Sequence, residues 1–215
     1  MEKYLSIITN FGCHYECPYC IVKENGIQVP KTTLDGLNNL DTAIKFGQYN
    51  IVSVSGGGDP LHNYTLQNKE WYDNLFKILD NNDVPMEMHT SYIHSEFPYR
   101  KCHRVVYHVR TTDLNEIAKI ERHGNEIVRI VMIATENLKV EDIIKIAWFV
   151  EMSNNIDELS FRQLVNNKYE TEYFNHDILQ WGHNHELWHY IEQNDYNDYY
   201  VEGKMYKKFS DIKIK

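Results

Sequence analysis

Three cysteines, Cys13, Cys17 and Cys20, lie close together near the start of this 215-residue chain and constrain it more than any other feature. Their spacing is C-x3-C-x2-C, and they directly follow an apolar, strand-like segment at residues 4–10. Three thiolates on one loop form a soft, polydentate metal site. A fourth ligand would complete a tetrahedral zinc site or a fully ligated cluster, whereas three ligands leave one metal position open for chemistry.

The composition is that of a globular protein, with 42% hydrophobic and 25% charged residues. A net charge of −9 makes nucleic acid an unfavourable partner, because both would be negatively charged. No stretch of about 18 apolar residues is present, so we expect no membrane partner. The N-terminus lacks the character of a signal peptide, and clustered cysteines are unlike a disulfide framework. We therefore expect a cytoplasmic protein.

Strand-like and helix-like segments alternate through the first three quarters of the chain. This order predicts an α/β fold with a parallel sheet and helices outside it, and six such units would form a barrel or part of one. Ligands would then lie at the carboxyl ends of the strands. The predicted strands are residues 4–10, 50–55, 84–93, 104–110, 126–134 and 156–165, and the predicted helices are residues 33–47, 70–81, 113–123 and 140–154.

The character of the chain changes near residue 166. We expect residues 1–165 to form the core and residues 166–215 to form a short C-terminal extension that packs on it or caps it. Within the extension, the apolar spacing of residues 177–193 predicts a helix. Residues 194–200 read as a turn or loop, and the lysine-rich end reads as a surface tail or an edge strand.

A glycine run, Gly56-Gly57-Gly58, follows the second predicted strand and leads into Asp59-Pro60. Glycines at a strand end let backbone groups approach a ligand closely. Together with the cysteine spacing and Tyr19 before the third cysteine, this run resembles the radical S-adenosylmethionine (radical SAM) superfamily. The resemblance covers roughly residues 4–165.

The resemblance implies a partial (β/α)6 barrel that is open on one side. Cys13, Cys17 and Cys20 would bind three irons of a [4Fe-4S] cluster, whose fourth iron would chelate the amino and carboxylate groups of S-adenosylmethionine. The reduced cluster would cleave this cofactor to methionine and a 5′-deoxyadenosyl radical, which abstracts hydrogen from a substrate. An external one-electron donor of the flavodoxin or ferredoxin type is also implied.

Further positions match the S-adenosylmethionine site of the superfamily. Gly56, Gly57 and Asp59 correspond to its glycine motif, although Asp59 stands where a glutamate is more usual. Tyr19 corresponds to an aromatic position near the adenine. Arg110, at the end of the fourth predicted strand, and Asn137, after the fifth, are candidate contacts to the cofactor.

The catalytic residues and the substrate are not determined by this resemblance. Cys102 could supply a hydrogen atom or a covalent link, or it could be an inert core residue. Arg162 could face the active site, or it could be a buried arginine paired with a carboxylate. A small molecule, a nucleotide and a partner protein all remain open as substrates.

Two other readings involve zinc. The three cysteines could form a structural zinc loop with His14 or His62 as the fourth ligand. The chain would then be a non-catalytic binding protein, stabilised by zinc or by a cluster. Separately, His185-Glu186-Leu187-Trp188-His189 matches H-E-x-x-H, which on a helix would place two histidines on one face to bind zinc in a hydrolase.

Overall fold

The computed structural model describes residues 3–166, 168, 170–172, 188–191 and 198–212, and ten strands and five α-helices are present among them. The strands are β1 Tyr4–Thr9, β2 Ile51–Gly56, β3 Met86–Thr90, β4 Arg104–His108, β5 Ile127–Ala134, β6 Glu158–Val165, β7 Thr171–Glu172, β8 Trp188–Ile191, β9 Asp198–Val201 and β10 Lys204–Tyr206. The helices are α1 Ile21–Glu24, α2 Leu40–Gly47, α3 Leu66–Asn82, α4 Leu114–Ile117 and α5 Val140–Met152. Short 3-10 helices occupy Asp35–Leu37, Tyr99–Lys101 and Phe209–Asp211.

The first six strands form a parallel sheet in sequential order, β1 to β6. On the outer side of β1, β9 adds a parallel strand, and β10 pairs antiparallel with β9. On the outer side of β6, β8 pairs in parallel and β7 pairs antiparallel. The predicted α/β class with a mostly parallel sheet is confirmed. Within the described ranges, β1 and β6 do not pair with each other.

The helices cover one face of this sheet. Residues of α2, α3, α4 and α5 share a single buried cluster with alternate residues of every strand from β1 to β6. The strand residues in this cluster include Leu5, Val52, Met88, Ile130 and Phe161. A sequential strand order with right-handed crossovers puts every helix on the same side, as this cluster requires.

The opposite face of β3–β6 carries polar side chains, because successive residues of a strand point to opposite faces. We call this surface the polar face. It comprises Glu87 and His89 on β3, Arg104 and His108 on β4, Arg129 on β5, and Glu158, Ser160 and Arg162 on β6.

Several predicted helices differ from those observed. The helix predicted at residues 33–47 is divided into the 3-10 helix Asp35–Leu37 and α2, and the one predicted at residues 113–123 is only the single turn α4. The predicted helix at residues 177–193 is wrong at residues 188–191, which form β8, and its other residues lie outside the described part of the chain. Residues 198–200, predicted as a turn, belong to β9, whereas the predicted edge strand is confirmed by β10. In both C-terminal cases, pairing with an open sheet edge overrides local propensity.

The C-terminal hairpin β9–β10 is fastened to the start of the chain. Glu202 and Gly203 at its turn have positive φ, and the Glu202 carboxylate accepts hydrogen bonds from the backbone N–H and the hydroxyl of Thr33, at 3.1 and 2.6 Å. The buried Tyr200 hydroxyl donates to the carbonyl of Gly36 at 2.7 Å. None of the helices in the described ranges is long and apolar enough to cross a bilayer.

A second buried cluster lies on the other side of β1. It joins Ile8 of β1 and the pair Ile27 and Val29 to Val201 of β9 and Ile212. Residues 27–29 follow the cysteine segment, so this part of the chain rests on the C-terminal hairpin.

We predict that Tyr200→Phe lowers the free energy of unfolding by about 1 kcal/mol, because the Gly36 carbonyl loses its buried donor. Urea unfolding measures the change. Tyr206→Phe on the neighbouring strand is the control, since Tyr206 is only half buried and should tolerate the loss of its hydroxyl. Equal stability of the two variants would show that the Tyr200 hydrogen bond does not fasten the hairpin.

Candidate functional site

The cysteine loop, residues 10–32, leaves the carboxyl end of β1 and is closed at its base by Asn10. The Asn10 side-chain amide donates to the carbonyl of Val29 at 2.6 Å, and its backbone N–H donates to the Thr32 hydroxyl at 2.6 Å. The Thr32 backbone N–H donates back to the carbonyl of Asn10 at 3.2 Å. The 21 residues between Asn10 and Thr32 therefore begin and end at one point beside the sheet.

The glycine run packs backbone against backbone on this loop. The Asp59 N–H donates to the carbonyl of Gly12 at 2.9 Å, and the Gly57 N–H donates to the carbonyl of Thr9 at 2.7 Å. A Cβ at Gly58 would lie 2.2 Å from the Gly12 carbonyl oxygen. Gly12 itself has φ of +104°, which an L side chain rarely adopts. Only residues without a side chain allow these two segments to meet.

Asp59 is buried, and its carboxylate accepts three hydrogen bonds within the chain. One carboxylate oxygen accepts from the backbone N–H of Leu61 at 2.9 Å and from the hydroxyl of Thr90 at 2.7 Å. The other accepts from the backbone N–H of Ser91 at 2.7 Å. These bonds tie the loop after β2 to the loop after β3. A contact between Asp59 and S-adenosylmethionine stays a prediction.

The three cysteine thiols are free and reachable from solvent: Cys13 is exposed, and Cys17 and Cys20 are half buried. Burial raises the pKa of the Cys17 thiol, Arg110 opposes this rise, and the neighbouring Cys20 and Cys13 add to it. The thiols are thus close enough to influence one another electrostatically. In the part of the chain that the structure describes, however, no three Cys, His, Asp or Glu side chains converge closely enough to enclose a metal ion.

Arg110 brings the loop after β4 onto the cysteine loop. Its guanidinium lies 3.4 Å from the centre of the Tyr15 ring, and it hydrogen-bonds the Cys17 thiol. The Tyr15 hydroxyl donates to the carbonyl of Ser91 at 2.9 Å. Tyr19 is half buried, and burial followed by the nearby Cys17 raises its pKa. Loops after β1, β2, β3 and β4 therefore meet at one edge of the sheet, as parallel strands dictate.

The other predicted site residues lie on other elements of the fold. Asn137 is exposed in the loop after β5. Cys102 is buried just before the amino end of β4, at the opposite edge of the sheet, and burial raises its thiol pKa well above the ordinary value. This placement favours the inert core role for Cys102, because an unreactive thiol is one that stays protonated. Arg162 lies on the polar face, within β6.

Two histidines adjoin the cysteine loop. The Nδ1 atoms of His14 and His62 are 3.0 Å apart, and the Nε2 atom of His62 is 2.9 Å from the amide nitrogen of Asn63. His14 is exposed and His62 is half buried, so a nitrogen ligand for a zinc ion is at hand beside Cys13. For the H-E-x-x-H motif, the helix is absent at His189, which lies in β8, and His185 lies outside the described residues.

The polar face carries a buried charge network that was not predicted from the sequence. Glu87 is 2.6 Å from Nε2 of His89 and accepts from Nη1 of Arg104 at 2.9 Å. Glu158 accepts from Nε of Arg129 at 2.5 Å and forms an ion pair with Arg104. Burial opposes the charge of Glu87, but His89 and Arg104 hold its pKa well below the ordinary value.

The signal for this network is present in the sequence. Met86-Glu87-Met88-His89 alternates apolar and charged residues with the period of a strand that separates two environments. Arg129 interrupts an otherwise apolar strand in the same way. The alternation therefore identifies the face of the sheet that does not pack against the helices.

Comparison with known proteins finds a similarity of fold. No protein-family model matches the chain, and no curated protein matches it. Two structures of SuiB from Streptococcus suis match, one bound to the precursor peptide SuiA and the other to S-adenosylmethionine, each with a TM-score of 0.61 and 16% identity over 90% of this chain. The chain spans about half the length of SuiB, 49% and 51%. This likeness supports the radical SAM-like fold expected from the cysteine and glycine motifs.

We predict that Gly58→Ala destabilises the protein by about 2–3 kcal/mol, because the new methyl would overlap the Gly12 carbonyl and force the two loops apart. Gly124→Ala is the control, since the nearest atoms to its Cβ would be Cβ of Arg100 at 3.1 Å and Oε2 of Glu126 at 3.2 Å, much farther than the 2.2 Å at Gly58. Urea unfolding of both variants measures the difference. An unaffected Gly58→Ala protein would mean that the loops separate without cost.

We predict that Glu87→Gln lowers stability at neutral pH by about 3 kcal/mol, since it leaves buried Arg104 without one of its carboxylates. The lowered pKa of Glu87 sets the pH dependence: its contribution is complete above the unfolded value near 4.5 and is lost as the pH falls below it. The stability gap between wild type and variant should therefore narrow in acid. Glu116→Gln, in the exposed pair with Lys119, should change stability by less than about 1 kcal/mol.

Proposed function

We propose that the protein is a radical SAM enzyme. The observation that carries this proposal is the backbone contact between Gly12 in the cysteine loop and Gly58 in the glycine run, at the carboxyl edge of a radical SAM-like sheet. A structural metal loop has no need of a second glycine-rich segment packed on it. Two such segments in contact form the kind of cradle that admits a cofactor close to the backbone.

Cys13, Cys17 and Cys20 would hold a [4Fe-4S] cluster. The donor set fits in chemistry and number, because soft thiolates are the usual ligands of iron–sulfur clusters and three leave one iron free. The thiols are unpaired and accessible, so nothing among the described residues has to be displaced before they bind iron. Arg110, whose positive charge favours the Cys17 thiolate, would help to deprotonate this ligand.

S-adenosylmethionine would lie between the cluster and the glycine run. Bound there, the cluster would supply one electron that cleaves the cofactor to methionine and a 5′-deoxyadenosyl radical, which takes a hydrogen atom from the substrate. Gly56 and Gly57 would present backbone groups to the methionine amino group. The three hydrogen bonds of Asp59 would hold that backbone in place, and Tyr19, Arg110 and Asn137 are the further residues we assign to the cofactor.

The chain length between β8 and β9 supports a curved, barrel-like sheet. In a flat sheet, seven inter-strand spacings of about 4.8 Å would separate these strands by about 34 Å. Only seven residue steps join Ile191 at the end of β8 to Asp198 at the start of β9, and they reach at most about 25 Å. This short connection favours a sheet that bends toward closure. The helices would lie outside, and the polar face inside, where a radical is shielded from water.

The substrate is a small molecule, a nucleotide or a partner protein, and it would bind on the polar face. That SuiB binds a precursor peptide on a related fold favours none of these, because fold alone does not specify a substrate. Turnover would draw its electron from an external flavodoxin- or ferredoxin-type donor.

We predict that the protein, reconstituted with iron and sulfide in the absence of oxygen and reduced with dithionite, produces 5′-deoxyadenosine from S-adenosylmethionine. Alanine at Cys13, Cys17 or Cys20 should abolish both the cluster absorbance and the product, because each removes an iron ligand. Cys102→Ala is the matched control and should retain both, since its thiol lies buried at the other edge of the sheet.

Metal analysis of the same samples separates the alternatives. About four irons and four sulfides per chain are expected. One tight zinc, lost on replacement of the cysteines or of His14 or His62, would instead indicate a zinc-stabilised binding protein. Zinc that survives loss of all three cysteines would point to a site elsewhere, such as the segment that contains His185 and His189.

A further inference from the structure

The positive and negative charges on the polar face do not cancel. Two carboxylates, Glu87 and Glu158, are shared by two arginines, Arg104 and Arg129. Arg162 is the third arginine on this face, and among the described residues no carboxylate pairs with it. The cluster therefore has one guanidinium in excess. The second reading of Arg162 was a buried arginine paired with a carboxylate. The described residues form no such ion pair with Arg162.

On the polar face of β6, two side-chain groups are enclosed without a hydrogen-bond partner among the described residues. They are Nε of Arg162 and the hydroxyl of Ser160, which is fully buried. The two residues are separated by one position on a strand, so their side chains share the polar face. Buried donors nearly always have a partner, and an orphaned pair on one surface needs a physical explanation.

His108 lies beside this pair. The register aligns it with Val131 on β5 and, through that residue, with Ser160 on β6. Burial, the nearby His89 and Arg162 lower the pKa of His108 well below the ordinary value, so its imidazole is neutral near pH 7. Its Nε2 is 3.2 Å from Nδ1 of His89, which leaves Nδ1 of His108 for another partner. The neutral His108 therefore supplies no counter-charge to Arg162. Glu87 attracts this guanidinium, but its carboxylate already bonds His89 and Arg104.

The position of Arg162 and the chemistry of its guanidinium indicate what kind of group would pair with it. Arg162 lies two residues beyond Ser160, toward the edge of the sheet where the cysteine loop leaves β1. A guanidinium presents paired N–H donors that match the two oxygens of a carboxylate or a phosphate. A neutral ligand would leave the buried charge uncompensated, which is strongly unfavourable.

We propose that Arg162 and Ser160 bind an oxyanion, a carboxylate or phosphate group, on the polar face. The assignment of this anion to the substrate rests on the proposed function. The anion site itself does not depend on that function. In the enzyme, the anion would hold one end of the substrate inside the sheet and below the cofactor. Arg162 is thus a binding residue, because it touches the substrate without taking part in bond cleavage.

The test is thermal unfolding of the full-length protein at pH 7.5 in sodium chloride, sodium phosphate or sodium acetate of equal ionic strength. We expect phosphate or acetate to raise the Tm of the wild type saturably, by about 3 °C at saturation. Stabilisation by phosphate alone would identify a phosphate-bearing group, and stabilisation by acetate a carboxylate. The measurement needs neither iron nor S-adenosylmethionine, so failure of cofactor cleavage and failure of anion binding are separate results.

Variants assign the effect to Arg162. Arg162→Met should unfold at a higher temperature than wild type in chloride, because an unpaired buried charge is gone, and should lose the anion-dependent shift. Arg162→Lys keeps the charge without the paired donors and should show a smaller shift. Arg129→Met is the matched control: it breaks the ion pair with Glu158, so it should lower the Tm and keep the shift.

Three outcomes would overturn the proposal. One is the absence of any anion-dependent shift in the wild type, whatever the variants do. Another is a shift that persists in Arg162→Met, which would place the anion elsewhere. The third is an Arg162→Met protein that folds but is less stable than wild type in chloride, which would show that Arg162 already has a partner within the chain.

Discussion

The contact between the Gly12 carbonyl and Gly58 is the constraint on which the rest of the site depends. It sets the distance between the loop after β1 and the loop after β2. A side chain at either glycine would keep the two loops from lying as close as they do. Asp59 extends the same contact to β3 through Thr90 and Ser91. The carboxyl edge of three adjacent strands is thereby held together by one backbone contact and one buried carboxylate.

The two faces of the sheet differ in how much they contribute to the stability of the fold. The helix-covered face holds the apolar cluster that drives folding through burial of nonpolar surface. The polar face contributes much less, because the desolvation of buried ion pairs offsets most of their attraction. Stability alone is a weak explanation for a charge network that extends over four strands, β3 to β6. The anion site that we propose at Arg162 and Ser160 would give this network a function.

The core strands and the neighbouring motifs could be predicted from sequence because they are encoded locally. Strand periodicity identified β1 to β6 within a few residues, and the cysteine spacing with the glycine run identified the loops that meet. The C-terminal strands could not be predicted, because Trp188–Ile191 and Asp198–Val201 are extended only through pairing with β6 and β1. The three bonds of Asp59 and the excess charge of Arg162 likewise depend on residues distant in sequence. Each alternating strand indicates a polar face, but only the assembled sheet shows which charges remain unpaired.

The second buried cluster has a consequence for how the protein is made. The segment after the cysteines, at Ile27 and Val29, is supported by Val201 and Ile212, so nearly the whole described chain separates the two sides of this contact in synthesis. A nascent chain would expose its cysteine loop long before the hairpin that steadies it has emerged. Ordering of the loop therefore follows synthesis of the hairpin, and metal delivered before then would meet thiols that are not yet held in place.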